Sequence, residues 1–357
     1  MNTHVPPGGA PPLLSDRILP LLKAPGVSRG GDLELVEGGL YCRQTDRFYP
    51  HLRGVPSLLP DGAPEDVTAR VRGFYEENPF PSYEGLEGFA DLVAKGRENP
   101  FTAQLLAAIG FNRTVLECGC GTGQLSHFLQ LNHNHVLGVD MTLSSLALAV
   151  EHKIHNGLRR SSFAQMDIFD LAVKDDSFDV VISHGVLHHT MDAKRAFGQI
   201  VRKVRPGGVI MVGLYNRYAR ILSWLRSKLI HVLGPRIDYV VRERIRDARK
   251  AEIWIRDQYF NPHETWHSIG EVLRWFDEYD VEFLNCSPPI LGSSGEDAGS
   301  LFCETDPGSA YQRVVTQVGW LGTIAREGSL FDVIGRRRGS GPPRPSPARA
   351  EATLRSR

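Results

Sequence analysis

The stretch TVLECGCGTGQLSHFL, residues 114–129, constrains the fold of this chain more than any other. An apolar run ends in an acidic residue, three glycines follow at alternate positions, and a helical pattern of apolar residues comes next. A strand, a glycine-rich turn and a helix in this order are typical of the first unit of a doubly wound sheet. In such a turn the backbone approaches a nucleotide-like ligand closely.

The rest of the chain from residue 112 onward alternates short apolar strands with helical segments. The expected strands are 114–117, 136–140, 162–166, 178–183, 208–215, 281–286 and 330–335. Strands that alternate with helices form parallel sheets covered by helices on both faces. The sequence therefore predicts an α/β fold with a Rossmann-like, mostly parallel seven-stranded sheet, whose last strands are antiparallel.

Composition and turn signals divide the chain into five parts. They are disordered residues 1–15, a small β-rich module at 16–62, a helical cap at 63–110, the α/β domain at 111–335 with a helical lid insertion at 214–265, and a disordered basic tail at 336–357. Both ends are assigned as disordered because they are rich in Pro, Gly or Arg and lack a hydrophobic pattern.

The overall composition excludes several function classes. The 357 residues carry 41 basic and 41 acidic side chains, so no global charge favours nucleic acid or an anionic membrane. No apolar run is long enough for a transmembrane segment, and the N-terminus lacks a secretion signal. Five cysteines without CxxC spacing indicate reduced thiols, with Cys118 and Cys120 as small apolar filler in the turn. We expect a cytoplasmic protein.

Two residues around the glycine turn discriminate between ligands. The dinucleotide fingerprint requires a small residue where this chain has Gln124. Glu117, at the end of the first strand, would repel a pyrophosphate but would attract an ammonium group. Asp140 ends the second strand, where it can accept from ribose hydroxyls, and Asp167 follows the third, where it can accept from an adenine amino group. The pattern favours S-adenosylmethionine (SAM) over NAD.

The segments LECGCGTGQLS, VLGVDMT, QMDIFD, FDVVISHGVLHHT and RKVRPGGVIMVGLYN resemble, in order and spacing, the successive motifs of class I SAM-dependent methyltransferases. The resemblance covers residues 64–335. Among these enzymes, the chain is most similar to the ubiquinone/menaquinone-biosynthesis group. The resemblance implies that SAM is the cofactor. It also implies a set of cofactor-binding residues, namely Glu117, Gly119, Gly121, Gly123, Gln124, Asp140, Met141, Asp167, Ile168 and Ser183.

The module GDLELVEGGLYCRQTDRFYPHLRGVPSLLPD resembles the zinc-ribbon domain of the tRNA-methyltransferase activator family. Three of the four cysteine positions of that pattern are lost here, and only Cys42 remains. Because tetrahedral zinc needs four donors, or three and a water, we predict a degenerate, metal-free module that packs or docks. The letters HETWH at 263–267 match a zinc-protease motif, but Pro262 places them at the start of a helix, so no metal is expected.

The residues around the methyl acceptor follow from the later motifs. His184, His188 and His189 are the candidate catalytic bases, and the alternative is that they pack beside the cofactor or cap a turn, as such histidines often do in the enzymes this chain resembles. The candidate acceptor-side residues are Tyr215, Asn216, Tyr259, His263 and His267, together with Asp257 and Glu264. The motif ISHG replaces the Asn/Asp-Pro-Pro-aromatic pattern of enzymes that methylate base amino groups, so that activity is disfavoured.

The insertion at 214–265 carries two helical patterns with broad apolar sides. Such helices suit a lid over a lipid-like acceptor or a patch that touches a membrane, and an ordinary packed helical pair is an equal alternative. The leading hypothesis is methyl transfer to oxygen or carbon of a small-molecule or lipid-like acceptor, with nucleic acid disfavoured as a partner. The alternatives are an RNA or protein methyltransferase that uses the module as a docking arm, and a non-catalytic SAM-binding partner subunit.

Overall fold

The computed structural model describes residues 11–62, 65–83, 85–86, 88–243, 245, 247–292, 300–326 and 328–339. Within them the chain forms a four-stranded and a seven-stranded sheet. The smaller sheet is an antiparallel meander of β1 (Glu34–Val36), β2 (Gly39–Cys42), β3 (Arg47–Leu52) and β4 (Val55–Pro56), preceded by a 3-10 turn at Leu19–Leu21. The turn signals GG, TD and RG of the sequence lie at its hairpins.

The cap that follows has three helices, α1 (Asp66–Glu77), α2 (Phe89–Glu98) and α3 (Pro100–Ile109). The helical spacing of Val67, Val71 and Phe74 predicts α1, and the Ala- and Leu-rich stretch 100–109 predicts α3. The start of α3 is well specified, because the Asn99 side chain accepts from the backbone of Phe101 and Thr102 and Pro100 is the first helical residue. The sequence analysis did not identify α2, which buries only Leu92 and Gly96.

The central sheet contains β5 (Thr114–Cys118), β6 (His135–Asp140), β7 (Ser161–Gln165), β8 (Phe178–His184), β9 (Val204–Tyr215), β10 (Val281–Ser287) and β11 (Leu330–Arg337). Their order is β10-β11-β9-β8-β5-β6-β7, and β11 runs antiparallel to both neighbours. The prediction of a Rossmann-like, mostly parallel seven-stranded sheet is confirmed. The remaining helices are α4 (Gln124–Leu129), α5 (Leu143–His155), α6 (Ala193–Val201), α7 (Arg220–Leu233), α8 (Tyr239–Glu243), α9 (Ala248–Tyr259), α10 (Ile269–Glu278) and α11 (Ala310–Gly319).

The insertion differs from its prediction in one respect. The sequence predicts one long second helix, whereas the structure has a short α8 and a separate α9. The Asp247 side chain accepts from the backbone N–H of Lys250 at 2.9 Å and so starts α9 anew. In the described part of the chain no helix combines the length and the apolar character that crossing a membrane requires.

The boundaries at the chain ends also differ from the sequence analysis. Residues 11–15 fall within the predicted disordered end, but Leu14 is buried and the backbone N–H of Ser15 donates to Ser162 Oγ at 2.9 Å. The last strand continues to Arg337, two residues into the predicted basic tail. Residues 1–10 and 340–357 of the two predicted disordered segments lie outside the described residues.

Candidate functional site

The three glycines of the turn between β5 and α4 all have left-handed backbone conformations, with φ values of 79°, 52° and 76° at Gly119, Gly121 and Gly123. A Cβ at Gly119 would clash with Val186, and one at Gly121 would clash with the carbonyl oxygen of Phe80. Only glycine therefore fits a loop that is enclosed from two sides.

The loop borders a cavity of about 460 Å³ at the carboxyl ends of the parallel strands. Twelve of the sequence-predicted site residues line it, namely Glu117, Gly119, Gly121, Gln124, Asp140, Met141, Asp167, Ile168, His184, His189, Tyr215 and Asp257. The position agrees with the rule that doubly wound sheets bind ligands at this edge, and the volume is that of an ordinary small-molecule site.

Glu117 lies at the floor of the cavity and is buried. The Ser126 hydroxyl donates to its carboxylate, but burial dominates and raises the pKa of Glu117 to about 7. A buried carboxyl group of this kind is stabilised as a carboxylate when a cation binds beside it. The residue is thus suited to an ammonium group.

Asp140 connects the end of β6 to the glycine loop. One carboxylate oxygen accepts from the backbone N–H of Gly121 at 2.9 Å, and the other accepts from the backbone and hydroxyl of Thr142. The oxygen that accepts from Gly121 retains a lone pair for a further donor such as a ribose hydroxyl. Asp140 therefore both fixes the loop and faces the cavity.

Asp167 and Ile168 follow β7 at the far side of the cavity. Asp167 accepts from the backbone N–H of Phe169 at 2.8 Å, and burial raises the pKa of its carboxyl group. Ile168, Phe169 and Met166 add an apolar wall. This is the combination of one polar acceptor and flat apolar contact that an adenine ring requires.

A segment of the helical cap covers the glycine loop, and no sequence motif indicates that this segment belongs to the site. Thr122 donates to the carbonyl oxygens of Phe80 and Pro81, at 3.2 Å from its backbone N–H and 2.6 Å from its hydroxyl. Gln124 reaches the same segment, because its amide donates to the carbonyl oxygen of Ser82 at 2.9 Å. The long side chain of Gln124 thus helps to hold residues 80–82 of the cap over the glycine loop.

The three candidate histidines have different surroundings. His184 lines the cavity, and its Nδ1 lies 2.7 Å from Asp332 Oδ1. Burial lowers the pKa of His184, but the nearby Asp332 and Glu117 carboxylates raise it by more, so the net shift of the pKa is upward. His188 does not line the cavity: it is fully buried and stacks on Tyr215 with ring centroids 3.8 Å apart.

His189 combines cavity access with a defined tautomer. Its Nδ1 donates to the carbonyl oxygen of His263 at 2.8 Å, which leaves Nε2 with a free lone pair in the neutral ring. Burial is the largest influence on its pKa, which is lowered. His189 is therefore neutral at neutral pH and has an acceptor nitrogen.

The other end of the cavity is formed by α1, the end of β9 and α9. Tyr75 donates to Asp257 Oδ1 at 2.7 Å, and Gln258 Nε2 donates to Asp257 Oδ2 at 2.9 Å and to the Tyr215 hydroxyl at 3.0 Å. Trp254 adds an aromatic wall. The sequence motifs indicate Asp257 and Tyr215 as site residues but do not indicate Tyr75, Gln258 or Trp254.

Behind this wall lies a buried arginine. The Arg220 guanidinium stacks on the Tyr215 ring at 3.8 Å and makes a two-point ion pair with Glu264, at 3.2 and 2.6 Å. It also donates to the Gln258 carbonyl oxygen at 2.6 Å. The cluster holds α7, α9 and the end of β9 in one arrangement.

Eight of the predicted site residues do not line the cavity, namely Gly123, Ser183, His188, Asn216, Tyr259, His263, Glu264 and His267. Gly123 starts α4, and Ser183 donates to the Cys118 carbonyl oxygen. The Asn216 side chain accepts from the backbone of Tyr218 and Ala219, and Tyr259 donates to Asp238. These contacts stabilise the walls around the site.

The HETWH stretch is not helical, since α10 begins only at Ile269. The Glu264 carboxylate is paired with Arg220, and His267 Nδ1 lies 3.0 Å from Glu271. Within the described residues, no group of three or more His, Cys, Asp or Glu side chains is arranged to hold a metal ion.

The site residues fit SAM and do not fit a pyrophosphate-bearing dinucleotide. The cavity presents the carboxylates Glu117, Asp140 and Asp167, and Arg72 is the one Lys or Arg side chain among the described lining residues. The glycine loop leaves backbone rather than side chains beside that space. An ammonium group, ribose hydroxyls and an adenine amino group are all donors, which this acid-rich lining accepts.

Several known proteins are similar in sequence to the part of the chain that forms this site. A sequence family described as a methyltransferase domain matches residues 110–255. The ubiquinone biosynthesis O-methyltransferase of Pseudomonas syringae pv. tomato is 31% identical over 179 residues, which cover 48% of this chain and 76% of that enzyme. An uncharacterised protein of Synechococcus sp. is 27% identical over 256 residues, which cover 63% of this chain and 61% of that protein.

The chain spans less than two thirds of several relatives, with coverages of 61%, 63% and 66% of their own length. Among solved structures, a phosphoethanolamine N-methyltransferase of Haemonchus contortus with bound S-adenosylhomocysteine aligns with a TM-score of 0.43 and 16% identity. That alignment covers 76% of this chain and 60% of the other.

Proposed function

Because the chain belongs to the class I SAM-dependent methyltransferases, we propose that it transfers the methyl group of SAM to an oxygen or carbon of a small-molecule or lipid-like acceptor. One observation carries the proposal: a single cavity joins the acid-rich end at Glu117, Asp140 and Asp167 to an aromatic end with a neutral histidine, His189. The first end suits the donor and the second an acceptor.

The assignment of SAM as the cofactor rests on the residues that line the cavity. In the proposal, Glu117 holds the ammonium group, Asp140 the ribose hydroxyls and Asp167 the adenine amino group. Gly119 and Gly121 bring backbone close to the ligand, and Met141 and Ile168 supply apolar contact. When bound, SAM supplies an electrophilic methyl group on a positively charged sulfur.

His189 is the proposed general base. Its Nδ1–H is held by the His263 carbonyl oxygen, so the lone pair on Nε2 is the free site for a proton. The lowered pKa of His189 keeps this nitrogen unprotonated at neutral pH. A hydroxyl acceptor whose proton is taken by His189 becomes a stronger nucleophile. An acidic hydroxyl such as a phenol is the easiest to deprotonate and therefore needs the weakest base.

The remaining groups at this end position the acceptor. Tyr75, Tyr215 and Trp254 form an aromatic enclosure that suits a flat or lipid-like molecule, and the Asp257 carboxylate orients Tyr75 and Gln258. Alignment of acceptor and donor is the main requirement of an in-line methyl transfer, since the donor is already activated. His184, paired with Asp332, is proposed to orient groups near Glu117 rather than to accept a proton.

Methyl transfer to RNA or protein is the second candidate. The mainly apolar lining with Arg72 as its one described Lys or Arg gives little support for a polyanion at the site itself. A SAM-binding subunit without turnover is a third candidate, and it shares the cofactor end of the site. An activity measurement separates all three.

The experiment uses purified protein, SAM with a labelled methyl group, and a cell extract fractionated into small molecules, RNA and protein. We expect label in the small-molecule or lipid fraction, and label in RNA or protein would reverse the assignment. Titration calorimetry with SAM tests the cofactor separately, because binding without label transfer to any fraction would indicate a non-catalytic subunit.

The role of His189 is tested with His189→Asn at saturating SAM, once an acceptor is known. We expect wild-type kcat to fall as the pH falls below the ordinary histidine range, and the variant to lose about 100-fold or more in kcat together with this pH limb. His188→Asn is the matched control, since that ring does not line the cavity. An unchanged pH profile in His189→Asn would exclude the base role.

A further inference from the structure

Helix α7 has its polar and apolar sides reversed relative to an ordinary surface helix. Seven large apolar residues on it are exposed: Ile221 by 44%, Leu222 by 37%, Trp224 by 48%, Leu225 by 46%, Leu229 by 48%, Val232 by 82% and Leu233 by 61%. The side that packs on the protein is mainly polar, with Arg220 and Ser223 buried beside one apolar residue, Ile230. An exposed apolar patch of this kind marks an interaction surface.

We propose that the outer face of α7 docks this protein on the surface of an anionic lipid bilayer. The stretch from Arg217 to Ile237 contains no Asp or Glu, and three of its five Lys or Arg residues pair with acids elsewhere in the chain, Arg217 with Glu271, Arg220 with Glu264 and Arg226 with Asp238. Lys228 and Arg236 on it are exposed. A broad apolar face with basic residues and no acids is the pattern of helices that lie in the interface of an anionic membrane.

The composition of the face favours a bilayer over a second copy of the chain. Lys228 lies within the apolar arc, and its Nζ is 5.6 Å from the centroid of the Trp224 ring. Lysine is depleted from the cores of protein–protein interfaces. At a membrane surface, by contrast, a lysine stem lies along the apolar region while its ammonium reaches the lipid headgroups, and tryptophan prefers the same depth.

The inner side of α7 connects this face to the cavity. Arg220 stacks on Tyr215, which lines the cavity. Arg226 pairs with the buried Asp238 at 3.7 Å, and the same carboxylate accepts from the indole N–H of Trp254, another lining residue, at 3.2 Å. A lipid-like acceptor in the bilayer would thus lie on the opposite side of α7 from the proposed acceptor end.

The test is flotation of the full-length protein with vesicles of equal parts phosphatidylglycerol and phosphatidylcholine, without SAM or acceptor. We expect the wild type to float with these vesicles, to do so less in high salt, and to stay in solution with pure phosphatidylcholine. The double variant Leu225→Glu/Leu229→Glu should bind about tenfold more weakly or worse, because two inserted side chains are replaced by charges.

The matched control is Val314→Glu/Val318→Glu on α11, which adds the same two charges at exposed apolar positions of another helix. It should bind like the wild type. Equal loss in both double variants, or no binding of the wild type to anionic vesicles, would overturn the proposal. So would light scattering that shows a dimer broken only by the α7 variant. Since the assay contains neither SAM nor acceptor, its outcome is independent of the proposed methyl transfer.

Discussion

Glu117 illustrates how burial sets the chemistry of a single residue. Its pKa rises from an ordinary value of 4.5 to about 7 because the carboxyl group lies out of solvent. Between these two pH values the folded chain binds a proton that the unfolded chain does not. The stability that this group contributes is therefore fully present below pH 4.5 and is lost as the pH rises through 7.

We accordingly expect Glu117→Gln to raise the free energy of unfolding at pH 8, by up to about 3 kcal/mol, and to change it little at pH 5. Urea unfolding at the two pH values measures this. Glu151→Gln, at an exposed position of α5, is the control and should show no pH-dependent gain. The same gain at both pH values in Glu117→Gln would contradict the assignment.

The glycine loop gives a second prediction at this scale. Gly121→Ala should weaken SAM binding by about tenfold or more, because its Cβ would displace the Phe80 carbonyl oxygen from above the loop. Gly110→Ala is the control that separates the steric contact from backbone strain. Gly110 also has a left-handed backbone, with φ of 77°, but nothing lies within 4 Å of its Cβ position. Calorimetric titration should find near wild-type affinity in Gly110→Ala, and a similar loss in both variants would disprove the role of the Phe80 contact.

The sequence predicts some of these residues and not others for a physical reason. Glu117, Asp140 and Asp167 come at or just after strand ends, and the carboxyl ends of parallel strands meet at one edge. Strand alternation also means that Ser183 and His184 point to opposite faces, but only the packed structure determines that His184 faces the cavity. Tyr75 belongs to a separate cap, so its approach depends on tertiary packing.

At the scale of elements, a hydrogen bond between Tyr75 and Asp257 joins α1 and α9 at the cavity. Tyr75 of α1 donates to Asp257 of α9 at 2.7 Å, and it also accepts from Asn261 at 2.9 Å. The pair links the cap to the insertion. It therefore controls how closely the two elements enclose the proposed acceptor.

We expect Tyr75→Phe to raise the acceptor KM by about tenfold, the cost of losing a buried hydrogen bond to a charged group, while SAM affinity stays within about twofold. Steady-state kinetics and calorimetry measure the two effects. Tyr311→Phe on α11 is the control, since that side chain is 77% exposed. A loss of SAM affinity equal to the loss in KM would mean that the cap acts on the cofactor end instead.

The insertion shows what periodicity leaves undetermined. The apolar spacing of residues 220–233 predicts a helix and identifies the residues that share a face, and the structure has α7 there. Periodicity does not determine which face packs inward. The polar side is buried because Arg220 stacks on the Tyr215 ring and pairs with Glu264 and Gln258, two partners that lie about 40 residues further along the chain.

At the scale of the whole molecule, the N-terminal module is continuous with the α/β domain. The backbone N–H of Leu58 donates to the carbonyl oxygen of Gln165 at 2.8 Å, which extends pairing to the edge strand β7. Ile18, Leu22 and Leu58 belong to the same buried cluster as Val139 of the central sheet. The module therefore covers a sheet edge that would otherwise be open to pairing with other chains.

This continuity predicts a single unfolding transition for both parts. Leu58→Ala removes a fully buried side chain of the module and should lower the free energy of unfolding by about 2–5 kcal/mol. All five tryptophans lie between residues 224 and 320, so their fluorescence reports on the α/β domain alone. Urea titration followed by tryptophan fluorescence should therefore shift to lower concentration in Leu58→Ala, together with the circular dichroism signal. Leu35→Ala, in the same module but 61% exposed, should leave both curves in place. An unshifted fluorescence curve in Leu58→Ala would mean that the module unfolds independently, because the sheet would then keep its stability without it.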